Sequence, residues 1–235
     1  MSEQAILMAA GLGNRMRPLT DTTPKPLVTV NGIPLVETVI AALETRGVRD
    51  IYIVTGYLAE KFAPFVRGRP RLHLLHNPEY ATKNNINSVA VAADILRRAD
   101  TFICEADLFI PDKTLLSRPL DRSGYFGKFV PGLSDDWLFD VADGRITGVH
   151  KHGTDKFNMV GVSYFKQADA AAIADAVAQR AQDPAWAQKF WDDVVDDLVK
   201  PPPALDLVVH QVLPGDIVEC DTVDDLNQLE KSLCK

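Results

Sequence analysis

The sequence predicts an α/β fold, in which helices flank a mixed, mostly parallel β-sheet that carries a small β-rich extension. Three observations favour it. Over roughly the first 110 residues, short apolar runs alternate with segments of helical periodicity, which is typical of a parallel sheet with helices on both faces. The middle of the chain then reads as several successive strands. Near its end, one more strand and one more helix follow.

The first half of the chain provides the alternation. Pro34 suits the first turn of a helix and Gly47 suits its end, so the apolar spacing between them predicts one amphipathic helix. A second, short helix is expected to be interrupted by Pro64. In this half, strands are predicted at residues 5–10, 51–55, 72–76 and 101–106, and helices at 34–46, 57–66 and 86–96.

The second half changes character after Asp107. Asp143-Gly144 is a typical hairpin turn, and Thr222 with Asp225 has the spacing of a capping box that begins a final helix. Strands are predicted at residues 125–130, 137–141, 145–150, 159–165 and 207–212, and two helices at about 167–182 and 185–199.

Composition restricts the possible functions. The net charge is −7 and the isoelectric point is near 5.2, so the overall field does not favour nucleic acid or an anionic membrane. Cys104, Cys220 and Cys234 are scattered without metal-binding spacing, which indicates buried or inert thiols in a reducing compartment. The sequence shows no signal peptide and no apolar stretch long enough to span a bilayer, so we expect a cytoplasmic protein.

The stretch from Leu7 to Leu27 has the residues of a phosphate-binding loop. Gly11 and Gly13 would let backbone N–H groups approach a ligand closely, and Arg15 and Lys25 suit phosphate oxygens. The pattern is neither a dinucleotide fingerprint nor a Walker A loop. The alternative for this stretch is a plain strand-to-helix turn with solvated arginines and a solvated loop lysine.

Asp107 stands just after a predicted buried strand, where ligands bind in open α/β sheets. A carboxylate at that position suits Mg²⁺, which takes one or two carboxylates together with substrate phosphates. The alternative is an aspartate that only caps the next turn.

Leu7–Leu27 resembles the signature of the nucleotidyltransferases that make nucleotide-sugars and CDP-alcohols, which implies a Rossmann-like fold. Further segments resemble the CTP:phosphocholine cytidylyltransferase branch of bacterial Lic type, whose pattern the enzymes that activate 2-aminoethylphosphonate share. These segments are Asn77–Tyr80, Thr82–Ser88, Glu105–Asp107, Phe190–Asp192 and Glu219–Thr222. The resemblance covers most of the chain and leaves the two branches unseparated.

The resemblance implies that an acceptor oxygen attacks the α-phosphorus of CTP and that pyrophosphate leaves. Lys25, Arg15 and Asp107 would be the catalytic residues, and Asp107 and Asp221 would hold Mg²⁺. Asn84 and Asn85 could instead cap a helix, and Asp221 could be a neighbour of the N-cap Thr222. The residues implied for nucleotide binding are Ala9, Ala10, Gly11, Gly13, Asn14, Arg15, Lys25, Tyr80, Asn84, Asn85, Ser88 and Ala106.

The acceptor is expected to be a small amine-bearing phosphate or phosphonate. Trp137, Trp191 and Asp192 have the chemistry of a cation pocket, although tryptophan more often fills a core and the acidic residues around Asp192 suit a solvated helix face. Lys151 or Lys128 could meet the acceptor phosphate. We expect no nucleic-acid partner and no membrane insertion, and a homodimer is left open.

We expect one domain over residues 1–235. It would comprise a nucleotide-binding core at about 1–110, an acceptor-binding or lid region at about 111–200 and a return to the core at about 201–235. Two other functions stay open. One is the same chemistry on a sugar 1-phosphate with UTP or dTTP, and the other is a nucleotide-binding regulatory module without activity.

Overall fold

A seven-stranded sheet forms the centre of the computed structural model, which describes residues 2–233. Its strands lie in the order β10-β8-β9-β6-β1-β4-β5. In chain order the strands are β1 (Glu3–Ala9), β2 (Thr29–Val30), β3 (Ile33–Pro34), β4 (Asp50–Thr55), β5 (Leu72–His76), β6 (Asp100–Glu105), β7 (Leu108–Phe109), β8 (Gly124–Ala142), β9 (Arg145–Phe165), β10 (Val208–Gln211) and β11 (Val218–Glu219). The helices are α1 (Leu35–Arg46), α2 (Phe62–Val66), α3 (Ile86–Val91), α4 (Ala93–Leu96), α5 (Gln167–Arg180), α6 (Trp191–Val199) and α7 (Val223–Leu233).

The pairing confirms the predicted mixed, mostly parallel sheet. Strand β1 pairs in parallel with β4 and β6, and β5 pairs in parallel with β4. Strand β9 is antiparallel to both of its neighbours, β6 and β8, while β10 is parallel to β8. The carboxyl ends of β1, β4, β5 and β6 therefore meet at one edge of the sheet.

The alternation of side chains along β1 explains why helices cover both faces. Ala5 and Leu7 point to the face covered by α1, whereas Ile6 points to the face covered by α3, α4, α5 and α6. Each of these three residues is fully buried. A strand with apolar residues on both faces needs two layers of cover, and these helices supply them.

Most predicted elements are present, but three helices differ from expectation. Pro64 does not interrupt α2, because it lies in the first turn, where its missing N–H costs no helical hydrogen bond. The helix predicted at 86–96 is divided at Ala92 into α3 and α4. The helix predicted at 185–199 begins only at Trp191, where the N–H of Phe190 is satisfied by Asp193 Oδ2 at 2.8 Å.

The strands predicted separately in the middle of the chain are parts of two long strands. β8 and β9 form one irregular hairpin with several register shifts, joined by Asp143-Gly144 as expected. Sequence reasoning missed the two-stranded pairs β2–β3 and β7–β11, whose strands have only two residues each.

Two further expectations concern the thiols and the membrane. Cys104 and Cys220 are buried thiols, and burial raises the pKa of Cys220 to about 11, while Cys234 lies outside the described residues. Within residues 2–233, no helix has the length and apolar character needed to cross a bilayer.

Candidate active site

A cavity of about 510 Å³ opens at the carboxyl ends of the parallel strands. Its wall is formed by the loop after β1, the loop after β5, Asp107 after β6 and Asp221 after β11. The predicted residues that line it are Ala9, Ala10, Gly11, Gly13, Asn14, Arg15, Lys25, Tyr80, Asn84, Asn85, Ser88, Asp107 and Asp221. Ala106 is fully buried behind the wall, and its N–H donates to the carbonyl of Met8 at 3.3 Å.

The two glycines of the loop after β1 have different roles. Gly13 has φ +64°, and a Cβ there would lie 2.9 Å from Thr20 Cγ2 and 3.2 Å from Lys25 Cβ. Thr20 also holds the loop, because its hydroxyl donates to the carbonyl of Gly13 at 2.8 Å. No atom lies within 4 Å of a Cβ built at Gly11, so this position leaves open space. Gly13 shapes the loop, and Gly11 leaves room beside it.

Lys25 is the centre of a charged cluster on the cavity wall. Its Nζ lies 2.5 Å from Asp107 Oδ2 and 2.6 Å from Asp221 Oδ1, and Arg15 Nη2 lies 2.8 Å from the same Asp221 oxygen. Burial alone would lower the pKa of Lys25, but the two carboxylates raise it above its usual value, so the lysine is charged. Burial would raise the pKa of Asp221, but Lys25 and Arg15 hold it below its usual value.

Asp107 has a second carboxylate oxygen that no residue satisfies. Asp107 Oδ1 is buried and has no hydrogen-bond partner among residues 2–233. A buried acceptor without a partner costs free energy, on the order of 1–3 kcal/mol. This oxygen is therefore available to a cation or a donor that enters the cavity.

A network of amides fixes the loop after β5. Asn77 donates from Nδ2 to Ser88 Oγ at 3.1 Å and accepts from Asn87 Nδ2 at 2.7 Å. Behind this loop, a Cβ at Gly56 would lie 2.6 Å from Tyr80 Cβ and 2.8 Å from the Ala10 carbonyl oxygen. Sequence reasoning missed Asn77 and Gly56 as supports of the site, although Asn77 directly follows a predicted strand.

Asn84 and Asn85 both line the cavity, but neither caps α3 with its side chain. Asn84 Oδ1 accepts from the N–H of Asn85 at 2.8 Å. Asn85 Oδ1 accepts from the N–H of Trp191 at 3.0 Å, across to the first residue of α6. Asn85 is thus the N-cap residue of α3, as the alternative expectation had it, but its side chain makes no capping hydrogen bond.

A second, small cavity of about 10 Å³ adjoins the first, and Met8 and Glu105 line both. Asp192 and Trp191 also line it, as does Tyr125. Asp192 is only 3% exposed and accepts from the Tyr125 hydroxyl at 3.2 Å. Burial raises the pKa of Asp192 to about 7, and burial together with nearby carboxylates raises the pKa of Glu105 well above its usual value. The sequence did not predict Glu105 as a site residue.

The aromatic residues of the predicted acceptor site are already packed. The ring of Trp191 stacks on Tyr125 at 5.7 Å and packs nearly perpendicular to Phe165 at 6.1 Å between centroids, so Trp191 is part of the core. Trp137 packs against Phe190, and Lys151 Nζ lies 5.2 Å and 4.9 Å from the centroids of these two rings.

Three of the predicted acceptor-site residues line neither cavity, although Lys151 is close enough to Asp192 for its charge to lower the pKa of that carboxyl. Trp137 and Lys151 face each other across the β8–β9 hairpin, and Lys128 pairs with Asn158 on the same hairpin; none of them lines either cavity. The structure brings Trp191 and Asp192 to the small cavity and leaves the other three on the hairpin.

Comparisons with known proteins found one matching family model and several similar proteins. The model of the MobA-like NTP transferase domain matches residues 5–131. A 2-aminoethylphosphonate cytidylyltransferase of Lancefieldella rimae is 47% identical over 94% of this chain and 89% of its own length. A choline-phosphate cytidylyltransferase of Streptococcus pneumoniae is 31% identical, with 98% of each chain covered.

Solved structures extend the likeness to the whole fold. The CTP:phosphocholine cytidylyltransferase LicC from Streptococcus pneumoniae superposes with a TM-score of 0.88 at 31% identity, over 99% of this chain and all of that one. A putative glucose-1-phosphate thymidylyltransferase from Bacillus anthracis superposes with a TM-score of 0.78 at 14% identity, which is a likeness of fold alone.

Proposed function

Since the chain belongs to the MobA-like NTP transferase family, we propose that it transfers the CMP group of CTP to a small primary amine bearing a phosphonate or phosphate. An oxygen of the acceptor forms the new bond to the α-phosphorus. The bond from that phosphorus to the bridging oxygen breaks, and pyrophosphate leaves with the electron pair. Among amine acceptors, 2-aminoethylphosphonate fits best, and it is the substrate named for the relative from Lancefieldella rimae.

The small cavity at Asp192 is the observation that carries the choice of acceptor. Its volume of about 10 Å³ admits one water-sized group, which favours a compact –NH₃⁺ head over a bulkier trimethylammonium head. Asp192 is buried beside it and offers the carboxylate that an ammonium needs. A trimethylammonium group would instead need open aromatic faces, and one face of Trp191 is occupied by the stacked ring of Tyr125.

The large cavity would hold the nucleotide. The open space at Gly11 and the left-handed turn at Gly13 let backbone N–H groups approach the phosphates. Lys25 and Arg15 would then offset the negative charge of the triphosphate and of the leaving pyrophosphate. Catalysis of this kind depends on positioning and on electrostatic stabilisation, without a covalent intermediate.

The residues around Asp107 fit Mg²⁺. The unsatisfied Oδ1 of Asp107 is a hard oxygen ligand, and Asp221 is held beside it through Lys25. Within residues 2–233 no group of three or more candidate ligands could hold a metal alone. Mg²⁺ commonly takes one or two carboxylates and completes its shell with substrate phosphates and water. When bound, the ion would draw charge from the α-phosphate oxygens, and Asp107 and Asp221 would fix its place.

A substrate panel tests the proposal. Pyrophosphate release is measured with CTP, UTP, dTTP and ATP, each against 2-aminoethylphosphonate, phosphoethanolamine, phosphocholine and glucose 1-phosphate. We expect CTP with 2-aminoethylphosphonate to give the highest kcat/KM, followed by phosphoethanolamine. A higher kcat/KM for phosphocholine would contradict the ammonium assignment. Preference for UTP or dTTP with the sugar phosphate would contradict the whole proposal.

Metal dependence is tested on the same reaction. EDTA-treated enzyme should lose turnover and regain it with Mg²⁺, whereas an Asp107→Asn variant should stay inactive at every Mg²⁺ concentration. Full turnover after EDTA treatment would contradict the Mg²⁺ assignment and leave the CMP transfer untouched.

A further inference from the structure

The loop that lines the nucleotide cavity is tied to the segment that leads into α6. We call residues 181–191 the bridging segment. The amide N–H of Asn84 donates to the Ala187 carbonyl at 2.7 Å, and Asn84 Nδ2 donates to the Gln188 carbonyl at 3.3 Å. In the opposite direction, Gln188 Nε2 donates a hydrogen bond to the Thr82 carbonyl at 2.9 Å. Lys83 Nζ also reaches the Ala181 carbonyl at 3.0 Å.

The last contact of this set is made by Asn85. Trp191 N is a donor, so the atom of Asn85 that meets it must be Oδ1, and the amide orientation is fixed by chemistry. The bond satisfies one of the N–H groups that the first turn of α6 would otherwise leave free. Asp192, the next residue, has its carboxylate in the small cavity.

A side chain that lines the nucleotide cavity therefore holds the helix turn that carries the acceptor carboxylate. Asn85 lies on the wall of the large cavity, and Asp192 lies on the wall of the small one. The residues involved are separated by 106 positions in the chain, so the link exists only in the folded protein. The two cavities also share Met8 and Glu105 on their walls.

We propose that Asn85 is a positioning residue that couples the two subsites, so that nucleotide binding orders the start of α6 and tightens binding of the acceptor. This inference rests on the proposed function for the identity of the ligands. A ligand that restricts the 82–85 loop also restricts Trp191 and Asp192, because five hydrogen bonds join the two segments. Coupling is reciprocal, so the acceptor must tighten nucleotide binding by the same factor.

Calorimetry measures the coupling directly. The nucleotide is a CTP analogue with a methylene group between the α- and β-phosphorus, which binds but cannot lose pyrophosphate. The acceptor is whichever compound of the panel has the highest kcat/KM. We expect its Kd to fall about tenfold when the analogue is saturating, within the usual range of coupling between sites. If the acceptor Kd is unchanged by the analogue, the coupling proposal is overturned, whereas the proposed CMP transfer is unaffected.

Two substitutions at Asn85 separate positioning from base recognition. Asn85→Asp keeps an oxygen that can accept from Trp191 N, whereas Asn85→Ala removes it. We expect Asn85→Ala to raise the acceptor KM about tenfold and to abolish the coupling. Asn85→Asp should leave the acceptor KM within about twofold, because its carboxylate also suits a helix N-terminus. Equal acceptor KM values for the two variants, or a change in the CTP KM alone, would overturn the positioning role.

A readout without any acceptor keeps the test independent of which acceptor the enzyme uses. Hydrogen exchange of the peptide covering residues 188–195 is followed with and without the CTP analogue. We expect slower exchange with the analogue in the native enzyme, and no slowing in Asn85→Ala. Gln188→Ala, a milder change at an exposed position, should reduce the slowing in part. Asn227→Ala, an exposed asparagine on α7, is the matched control and should behave as the native enzyme. If the analogue, at a concentration that calorimetry shows to be saturating, does not slow hydrogen exchange of residues 188–195 in the native enzyme, the proposal is overturned.

Discussion

The two cavities of the site differ in how they are built. The large one is open, lies at the ends of four parallel strands and is lined by loop backbone and charged side chains. The small one has a volume of about 10 Å³ and is lined mostly by core residues, among them Tyr125 and Trp191. One side of the site is thus a polar edge of the sheet, and the other is a small cavity in the hydrophobic core beside Asp192 and Glu105.

This difference indicates how the two sides select their ligands. Under the proposed function, the charged cluster around Lys25 would hold the phosphates, and it would tolerate small shifts because electrostatic attraction is long-ranged. The ammonium head of the acceptor would be selected by the small volume and by the buried carboxylate of Asp192, since a core position cannot shift without cost. We expect substitutions in the large cavity to affect the rate most and those in the small cavity to affect acceptor specificity.

The charged cluster should give the largest effect. Lys25→Ala and Asp107→Ala should each lower kcat about 10²–10³-fold, because loss of one well-placed stabilising group in a site of this kind costs about that much. Steady-state kinetics with pyrophosphate detection measures this. Lys113→Ala, an exposed lysine shortly after β7, is the control. Circular dichroism should show all three variants folded, and near-native kcat in Lys25→Ala would refute the assignment.

Asp192→Asn should act on the acceptor alone. It keeps the shape of the side chain and removes its charge, so the acceptor KM should rise about 100-fold, in line with loss of one charge-assisted hydrogen bond of about 1.5–3 kcal/mol. The CTP KM should change less than about twofold. A parallel rise in both KM values would mean that the two cavities are not distinct in function.

The pH dependence separates the cavities further. Burial raises the pKa of Asp192 to about 7, and Tyr125, Asp193, Lys151 and Glu105 are the groups around it. The ionised form is needed for an ammonium, so kcat/KM for the acceptor should rise with pH through about 7. In Asp192→Asn, kcat/KM for the acceptor should not rise with pH in this range. If the rise persists in Asp192→Asn, another group is responsible for it.

The same shift has a consequence for stability. The folded state holds this proton more tightly than the unfolded state, whose pKa is near 3.8, so the native enzyme loses stability as the pH rises from there to about 7. Thermal unfolding should therefore show that Asp192→Asn is more stabilising at pH 8 than at pH 5. An equal difference at both pH values would contradict this.

Gly56→Ala should give a moderate effect confined to the large cavity. Its Cβ would meet Tyr80 at 2.6 Å and the Ala10 carbonyl oxygen at 2.8 Å, so both walls must shift. We expect the CTP KM to rise about tenfold, equal to about 1.4 kcal/mol, while the acceptor KM for saturating CTP stays within about twofold. A larger change in the acceptor KM would show that this wall serves both cavities.

The smallest effect is expected at the start of α7, which lies beside Asp221. Thr222 and Asp225 form a reciprocal capping box: the N–H of Thr222 donates to Asp225 Oδ2 at 2.8 Å, and the N–H of Asp225 donates to Thr222 Oγ1 at 3.1 Å. Thr222→Ala should lower the free energy of unfolding by about 1 kcal/mol and kcat only slightly. Urea denaturation measures this, with the exposed Thr45→Ala as control.

Local signals predicted the large cavity well. The strand at β1, the glycine loop and Asp107 after β6 lie close together in sequence or at predictable ends of strands, so their meeting follows from the sheet. The capping box at Thr222 was also predicted, because its spacing is local. The extent of β8 and β9 was not predicted, since bulges change the register of a hairpin without a sequence marker.

The small cavity could be predicted only in part. The Phe190-Trp191-Asp192 motif indicated a cation site, but no pattern in the sequence shows that Trp191 packs against Tyr125 and Phe165. The sequence also does not show that Trp137 packs against Phe190, or that Lys151 lies near both rings. Such contacts depend on packing between distant segments, which hydrophobic periodicity does not encode.

The ion pair between Lys25 and Asp221 has a consequence for synthesis of the chain. The two residues are separated by 196 positions, so the glycine loop leaves the ribosome long before the carboxylate that completes its cluster. At synthesis rates of about 5–20 residues per second, the interval is on the order of ten seconds or more. During that time a nascent chain can present the loop and Lys25 without their final partner. The complete cluster therefore marks a chain whose translation has passed Asp221.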